Sequence, residues 1–98
     1  MILGLIPARG GSKRIPRKNL RSLAGKPLLV WTLEAAKASQ RLERIVVSTE
    51  DPEIVALTRL HGVDVLDRPP ALASDGASGA AVLQHAVEQL NPSVVVFL

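Results

Sequence analysis

The sequence contains no cysteine and no tyrosine, and Trp31 and Phe97 are its only aromatic side chains. Without cysteine there is no disulfide framework and no thiolate metal site. Two aromatics leave little material for the stacking platforms that hold single-stranded nucleic acid. Long apolar runs are missing too. The opening run, Met1 to Ile6, is far shorter than the roughly 18 apolar residues of a membrane-spanning helix. It lacks the basic start and the small-residue cleavage site of a signal peptide. The expectation is a cytoplasmic protein with no membrane partner. Acidic residues are absent from residues 1–33, where Arg9, Lys13, Arg14, Arg17, Lys18, Arg21 and Lys26 all lie. The remaining sequence is acidic on balance, so the overall net charge of +3 hides the asymmetry. So local a basic segment points to an anionic partner. The charge sits in a glycine-containing loop without aromatics, which favours a small phosphorylated ligand over nucleic acid.

What is present is aliphatic. Leu, Val, Ile and Ala dominate, a composition suited to a parallel sheet covered by helices. The 98 residues allow one domain at most. Ile2 to Ile6 reads as a short buried strand, and Pro7 to Leu20 as an irregular segment rich in Gly, Pro and charge. Pro27 is placed to begin a helix reaching about Ser39. Arg44 to Ser48 reads as a second strand. Asp51 and Pro52 then supply the N-cap and first position of a helix that ends near His61-Gly62. Val63 to Leu66 is a third strand, and Arg68 to Gly76 a loop. A helix follows over about Ala77 to Leu90, with Leu83, Ala86, Val87 and Leu90 as its apolar stripe. Ser93 to Leu98 completes the series as a fourth, buried strand of central character. Alternating strands and helices imply an α/β, doubly wound, mainly parallel sheet in three layers. In such sheets ligands bind beyond the carboxyl ends of the strands. The chain stops at that end of its fourth strand, so the expectation is the N-terminal part of a longer protein.

The loop after the first strand carries the chemistry. Phosphates need positive charge and backbone N–H donors at close range, and consecutive N–H groups in glycine-containing turns form anion-binding nests. Gly10, Gly11 and Ser12 supply the turn and a hydroxyl, and Arg9, Lys13 and Lys18 supply charge. The Gly-x-x-x-x-Gly-Lys-Ser/Thr and Gly-x-Gly-x-x-Gly fingerprints are both absent, which argues against a P-loop ATPase and a dinucleotide site. A solvated basic loop is the bland alternative.

The order of motifs is more specific. Ile6-Pro7-Ala8-Arg9-Gly10-Gly11-Ser12-Lys13, then Ile15-Pro16, Lys18-Asn19-Leu20 and Leu23-x-Gly25-Lys26-Pro27-Leu28 closely resemble the opening of the acylneuraminate (sialic acid) cytidylyltransferases. Val47-Ser48-Thr49-Glu50, Arg68-Pro69 and Leu72-Ala73-Ser74-Asp75-x-Ala77-Ser78 continue the match in order, across essentially the whole chain. The related 3-deoxy-manno-octulosonate enzymes differ around Lys18-Asn19-Leu20 and the Gly-Gly-Ser-Lys stretch. The resemblance implies a nucleotide-diphospho-sugar transferase-like fold, with residues 1–98 as the nucleotide-binding part of a single domain truncated after its fourth strand. It implies transfer of CMP from CTP to an acidic nine-carbon sugar, with release of pyrophosphate. By the same resemblance Arg9, Lys13 and Lys18 act on the triphosphate as catalytic groups. Ala8, Arg9, Gly10, Gly11, Ser12, Lys13, Asn19, Arg68, Ala77, Ser78 and Gly79 form the nucleotide site. Magnesium is the implied cofactor, its ligands lying beyond Leu98 and none within this chain. A homodimer is implied for the full-length protein.

Several residues have simpler readings. Asn19 can form a turn. Arg68, before Pro69-Pro70, can be a surface arginine. Asp75 reads as a helix N-cap. Asp51 is explained by capping, which leaves metal binding at Glu50 and Asp51 the weaker reading. His61 and His85 read as structural, and Trp31 as core packing. The chain also departs from the family. Gly79 stands where a second serine is common, Glu50 where Asp is common, and Arg14 and Arg17 where smaller or neutral residues are. Three hypotheses stay open: a cytidylyltransferase acting on sialic or a related acid, a non-catalytic nucleotide-binding domain, and a basic nucleic-acid-binding domain.

Overall fold

The computed structural model describes residues 1–10, 18–73 and 78–98. The expectations at Gly11, Ser12, Lys13, Arg14, Arg17, Asp75 and Ala77 fall outside the described residues. Strand β1 (Ile2–Pro7) is followed by a 3-10 turn at Lys18–Leu20, and then by a small hairpin of β2 (Ser22–Leu23) and β3 (Lys26–Pro27). Helix α1 (Leu28–Ala38), strand β4 (Arg44–Thr49), helix α2 (Pro52–Leu60) and strand β5 (Asp64–Asp67) come next. A second 3-10 turn at Pro70–Leu72, helix α3 (Gly79–Leu90) and strand β6 (Val94–Phe97) complete the order.

The main sheet is parallel, in the order β5-β4-β1-β6. Alternation along β1 makes the layers. Ile6, just before Ala8, packs with Leu29, Leu33 and Ala36 of α1 and Ile54 of α2 on one face. Leu3 and Leu5 meet Ala86 of α3 on the other. On β4, Val47 and Val46 divide between the same two clusters. A strand buried on both faces has no polar side to show, which is why β1 reads as a continuous apolar run. The chain steps outward from β1 to β4 to β5, then crosses back to the far side of β1 to form β6. Its helices change face where the direction reverses. The α/β, doubly wound, three-layer expectation is therefore correct.

The caps account for several boundaries. Asp51 Oδ1 accepts from the N–H groups of Glu53 and Ile54, 2.9 and 3.2 Å away, with Pro52 at the first helical position. Gly62, past the end of α2, takes the left-handed conformation at φ 71°, where a side chain would be strained.

Other expectations need correction. Pro27 belongs to β3 and sits at the N-cap of α1, which starts at Leu28. Helix α3 starts at Gly79, and its cap is Ser78, whose Oγ accepts from Ala81 N at 3.1 Å. Val87 is exposed, and Val82 takes its place in the buried stripe, because α3 is rotated slightly on the sheet from the assumed phase. Trp31 is 40 % exposed rather than core. Its indole N–H donates to Leu23 O at 2.7 Å, and Lys26 Nζ lies 3.9 Å from the ring centroid, so the ring braces the hairpin against α1. Strand β6 is not buried: Val94, Val96 and Phe97 are all exposed, since among the described residues it pairs on one side only, with β1. Among the described residues, no helix is long and apolar enough to cross a membrane.

Candidate nucleotide site

The reversal of direction between β1 and β6 opens a crevice at the carboxyl ends of the strands, the place where open α/β sheets bind ligands. A cleft of about 230 Å³ lies there, lined by Pro7, Arg9, Lys18, Asn19, Arg68, Ser78, Gly79, Val82 and Phe97. Six residues assigned from sequence to the nucleotide or its phosphates meet in it: Arg9, Lys18, Asn19, Arg68, Ser78 and Gly79. They come from four separate stretches of chain.

Each is positioned by a distinct local cause. Arg9 follows β1, and its carbonyl accepts from Asn19 Nδ2 at 3.3 Å. Asn19 is thus more than a turn residue: its amide ties the 3-10 turn to the start of the glycine loop. Lys18 stands exposed at the rim. Ser78 and Gly79 open α3, whose first-turn N–H groups and positive dipole end favour an anion. Among the described residues, a Cβ placed on Gly79 meets only Phe97 Cζ, at 3.8 Å, an ordinary contact distance.

Arg68 is the surprise of the site. It is 6 % exposed, which removes the surface-arginine reading. Its Nε donates to Ser48 Oγ at 3.2 Å, its Nη2 to Ser48 O at 3.1 Å and its Nη1 to Leu72 O at 3.3 Å. Its backbone N–H donates to Thr49 O at 2.9 Å. Burial pushes its pKa down, Glu50 opposes that shift and Arg9 adds to it. A guanidinium stays protonated regardless, so the cleft keeps a fixed, pre-oriented charge in a partly desolvated place, where electrostatic attraction is strongest. Ser48 is the functional support that sequence reasoning missed. The signal was its place in the Val47-Ser48-Thr49-Glu50 motif, at the end of the strand beside Arg68.

Two assigned residues turn inward. Ala8 is fully buried in the core, and its N–H donates to Ser48 O at 2.9 Å. Gly10 is buried, and its N–H donates to the Glu50 carboxylate at 2.5 Å. Glu50 is thus only partly exposed and engaged with the loop. Among the described residues no group of three His, Asp or Glu could hold a metal ion. Asp51 caps α2, and Glu50 accepts from Gly10.

A wider hollow of about 400 Å³ lies on the other side of Lys18, lined by Arg21, Ser22, Leu23 and Leu28. It is larger, but it takes no wall from β1, β6 or α3 and gathers fewer polar groups. The smaller cleft is the better candidate, because specificity comes from convergent polar groups rather than volume.

Comparison with known proteins fits this geometry. A family model described as cytidylyltransferase matches residues 3–98. The N-acylneuraminate cytidylyltransferase of Escherichia coli O18:K1:H7 is 42 % identical over 86 residues, which are 88 % of this chain and 20 % of that protein. The pseudaminic acid cytidylyltransferase of Campylobacter jejuni serotype O:2 is 44 % identical over 90 residues, 91 % of this chain and 39 % of that protein. The chain therefore spans well under half the length of these curated relatives. A solved structure of CMP:2-keto-3-deoxy-manno-octonic acid synthetase complexed with CTP superposes with a TM-score of 0.84 at 26 % identity, covering 99 % of this chain and 39 % of that one. With the motif order, the doubly wound sheet and the basic cleft at its reversal point all in agreement, the chain belongs to the cytidylyltransferase family.

Proposed function

We propose that this chain carries the CTP-binding part of an enzyme that transfers CMP to a nonulosonic acid such as N-acetylneuraminate. The observation that carries the reading is the convergence of Arg9, Lys18, Asn19, Arg68, Ser78 and Gly79 on one cleft at the sheet's reversal point. In the proposed reaction the sugar's anomeric hydroxyl attacks the α-phosphorus. A new O–P bond forms, the bond from that phosphorus to the bridging oxygen breaks, and pyrophosphate leaves while the hydroxyl proton passes to a base. Negative charge spreads over the phosphoryl oxygens, and fixed positive groups lower the barrier by meeting it. Arg9 and Lys18 are assigned to the triphosphate, with Lys13 as an expected third cation. Arg68, held by Ser48 and Leu72, is assigned to the cytidine. Magnesium, when bound, would supply further charge neutralisation; its ligands are expected beyond Leu98.

The identity of the acid is a finer proposal. Sialic and pseudaminic acids are suggested by the two sequence relatives. The eight-carbon 3-deoxy-manno-octulosonate is the second reading, favoured by the 0.84 superposition. The test is pyrophosphate release by the full-length protein with CTP, magnesium and a panel of these acids, and with ATP as the control. Release with CTP and one nonulosonic acid is expected. Release with no acid, or equal release with ATP, rejects the proposal. Arg9→Ala is expected to slow the reaction by roughly 10²-fold, the scale of losing one fixed charge that faces developing negative charge.

A further inference from the structure

The hydrogen bond between Gly10 and Glu50 does not belong to any ordinary strand ladder. β1 and β4 run parallel in a register that pairs Ile6 with Val47 and Pro7 with Ser48. Past the end of β1, Ala8 N–H still donates to the backbone carbonyl of Ser48. The next rung of such a ladder comes two residues on, from Gly10 N–H to the carbonyl of residue 50. The rung is there, but the acceptor is the Glu50 side chain, with Oε1 at 2.5 Å and Oε2 at 3.4 Å. The backbone of β4 is thereby released to turn into α2 at Asp51.

Gly10 is held from a second side. A Cβ on Gly10 would overlap Asp51 Oδ2 and stand 2.9 Å from Asp51 Cβ. The Asp51 side chain cannot swing away without uncapping α2, because its Oδ1 accepts from Glu53 and Ile54. Arg9 therefore lies between two anchored amides, those of Ala8 and Gly10, and its carbonyl is held by Asn19. The direction in which the Arg9 side chain leaves the backbone is set by these contacts.

We propose that Glu50 is a positioning residue for the phosphate-binding loop: its carboxylate replaces a backbone rung, anchors the Gly10 amide and so aims Arg9 into the cleft. The inference rests on the CTP-binding reading for its purpose, but the anchor itself can be measured without nucleotide. A competing role for the same contact is that of a stand-in anion, a carboxylate occupying the amide that a phosphate would otherwise take. The two roles predict opposite signs. An anchor improves CTP binding, whereas a stand-in competes with it.

The experiment uses the full chain, Glu50→Ala and Glu50→Gln, each checked for a parent-like melting temperature. Glutamine keeps a carbonyl that can accept from Gly10 and loses only the charge. Gly10 amide hydrogen exchange is read by NMR without ligand, and CTP binding by calorimetry. The anchor role predicts a protected Gly10 amide in the parent and in Glu50→Gln, and a fast-exchanging one in Glu50→Ala. It predicts CTP binding about tenfold weaker in Glu50→Ala, the scale of losing one partly buried amide contact, with Glu50→Gln restoring it to within about threefold. Unchanged Gly10 exchange in Glu50→Ala overturns the proposal. So does CTP binding that is equal or tighter in both variants. If Glu50→Ala does not fold, Glu50→Gln decides: tighter CTP binding or an unprotected Gly10 amide overturns the anchor, and parent-like values of both support it. A parent that binds no CTP refutes the functional reading, while Gly10 exchange still tests the anchor.

Discussion

At the scale of single residues, Arg68 separates what types and order convey from what only packing shows. Its place before Pro69 allowed two readings, and nothing local chose between them. The choice lies twenty residues earlier, in Ser48, whose hydroxyl and carbonyl both accept from the guanidinium. Arg68→Ala leaves the buried Ser48 hydroxyl without its guanidinium donor, which costs about 1–3 kcal/mol. Lysine keeps the charge but not the planar fork. Thermal unfolding is expected to show Arg68→Ala clearly destabilised, and calorimetry to show CTP binding weakened in both Arg68→Lys and Arg68→Ala. If Arg68→Lys binds CTP as the parent does, the guanidinium geometry is irrelevant to the ligand. Gly79 permits the reverse test. No described residue there bars a Cβ, and serine supplies the hydroxyl that is common at this place in the family. Gly79→Ser is expected to fold normally and to bind CTP more tightly, by a few-fold to about tenfold, the value of one added hydrogen bond. Unchanged affinity would mean that the helix backbone alone serves the ligand at this position.

At the scale of elements, legibility followed length. β1 and β4 were visible because a strand buried on both faces is a continuous apolar run. α2 was visible at both ends, through Asp51-Pro52 and His61-Gly62. The β2–β3 hairpin was not visible, because strands of two residues have no periodicity to detect. Its turn is made by Ala24 and Gly25, both left-handed, at φ 49° and 91°. Two-residue hairpin turns of this kind favour Asn-Gly or Gly-Gly, and alanine gives no such signal. Alanine there costs about 1 kcal/mol in the left-handed region. Ala24→Gly is therefore expected to raise stability by about 0.5–1 kcal/mol, read as a higher melting temperature with an unchanged structure. A lower melting temperature would show that Ala24 makes a compensating contact. Trp31 was misread for a related reason. Aromatics usually pack inside, but this one lies across the hairpin, and its value is the bond to Leu23 O.

At the scale of the whole molecule, the α/β class followed from the alternation of elements, and the position of the cleft followed from the class. The exposure of β6 did not. Val94 to Phe97 has the composition of a central strand, yet burial depends on what lies alongside, and among the described residues only β1 pairs with it. The basic bias of residues 1–33 was legible as charge, but not as a site. The site exists because β1, the 3-10 turn after the glycine loop, the segment following β5 and the start of α3 meet where the sheet reverses. Two hollows compete for a phosphorylated ligand, and both include Lys18. Titration of CTP into the protein, followed by backbone amide NMR, distinguishes them directly. The largest shifts are expected at Arg9, Gly10, Asn19, Arg68, Ser78 and Gly79. Shifts centred on Arg21, Ser22, Leu23 and Leu28, or no shifts at all, would contradict the assignment of the cleft between β1 and β6 as the CTP site.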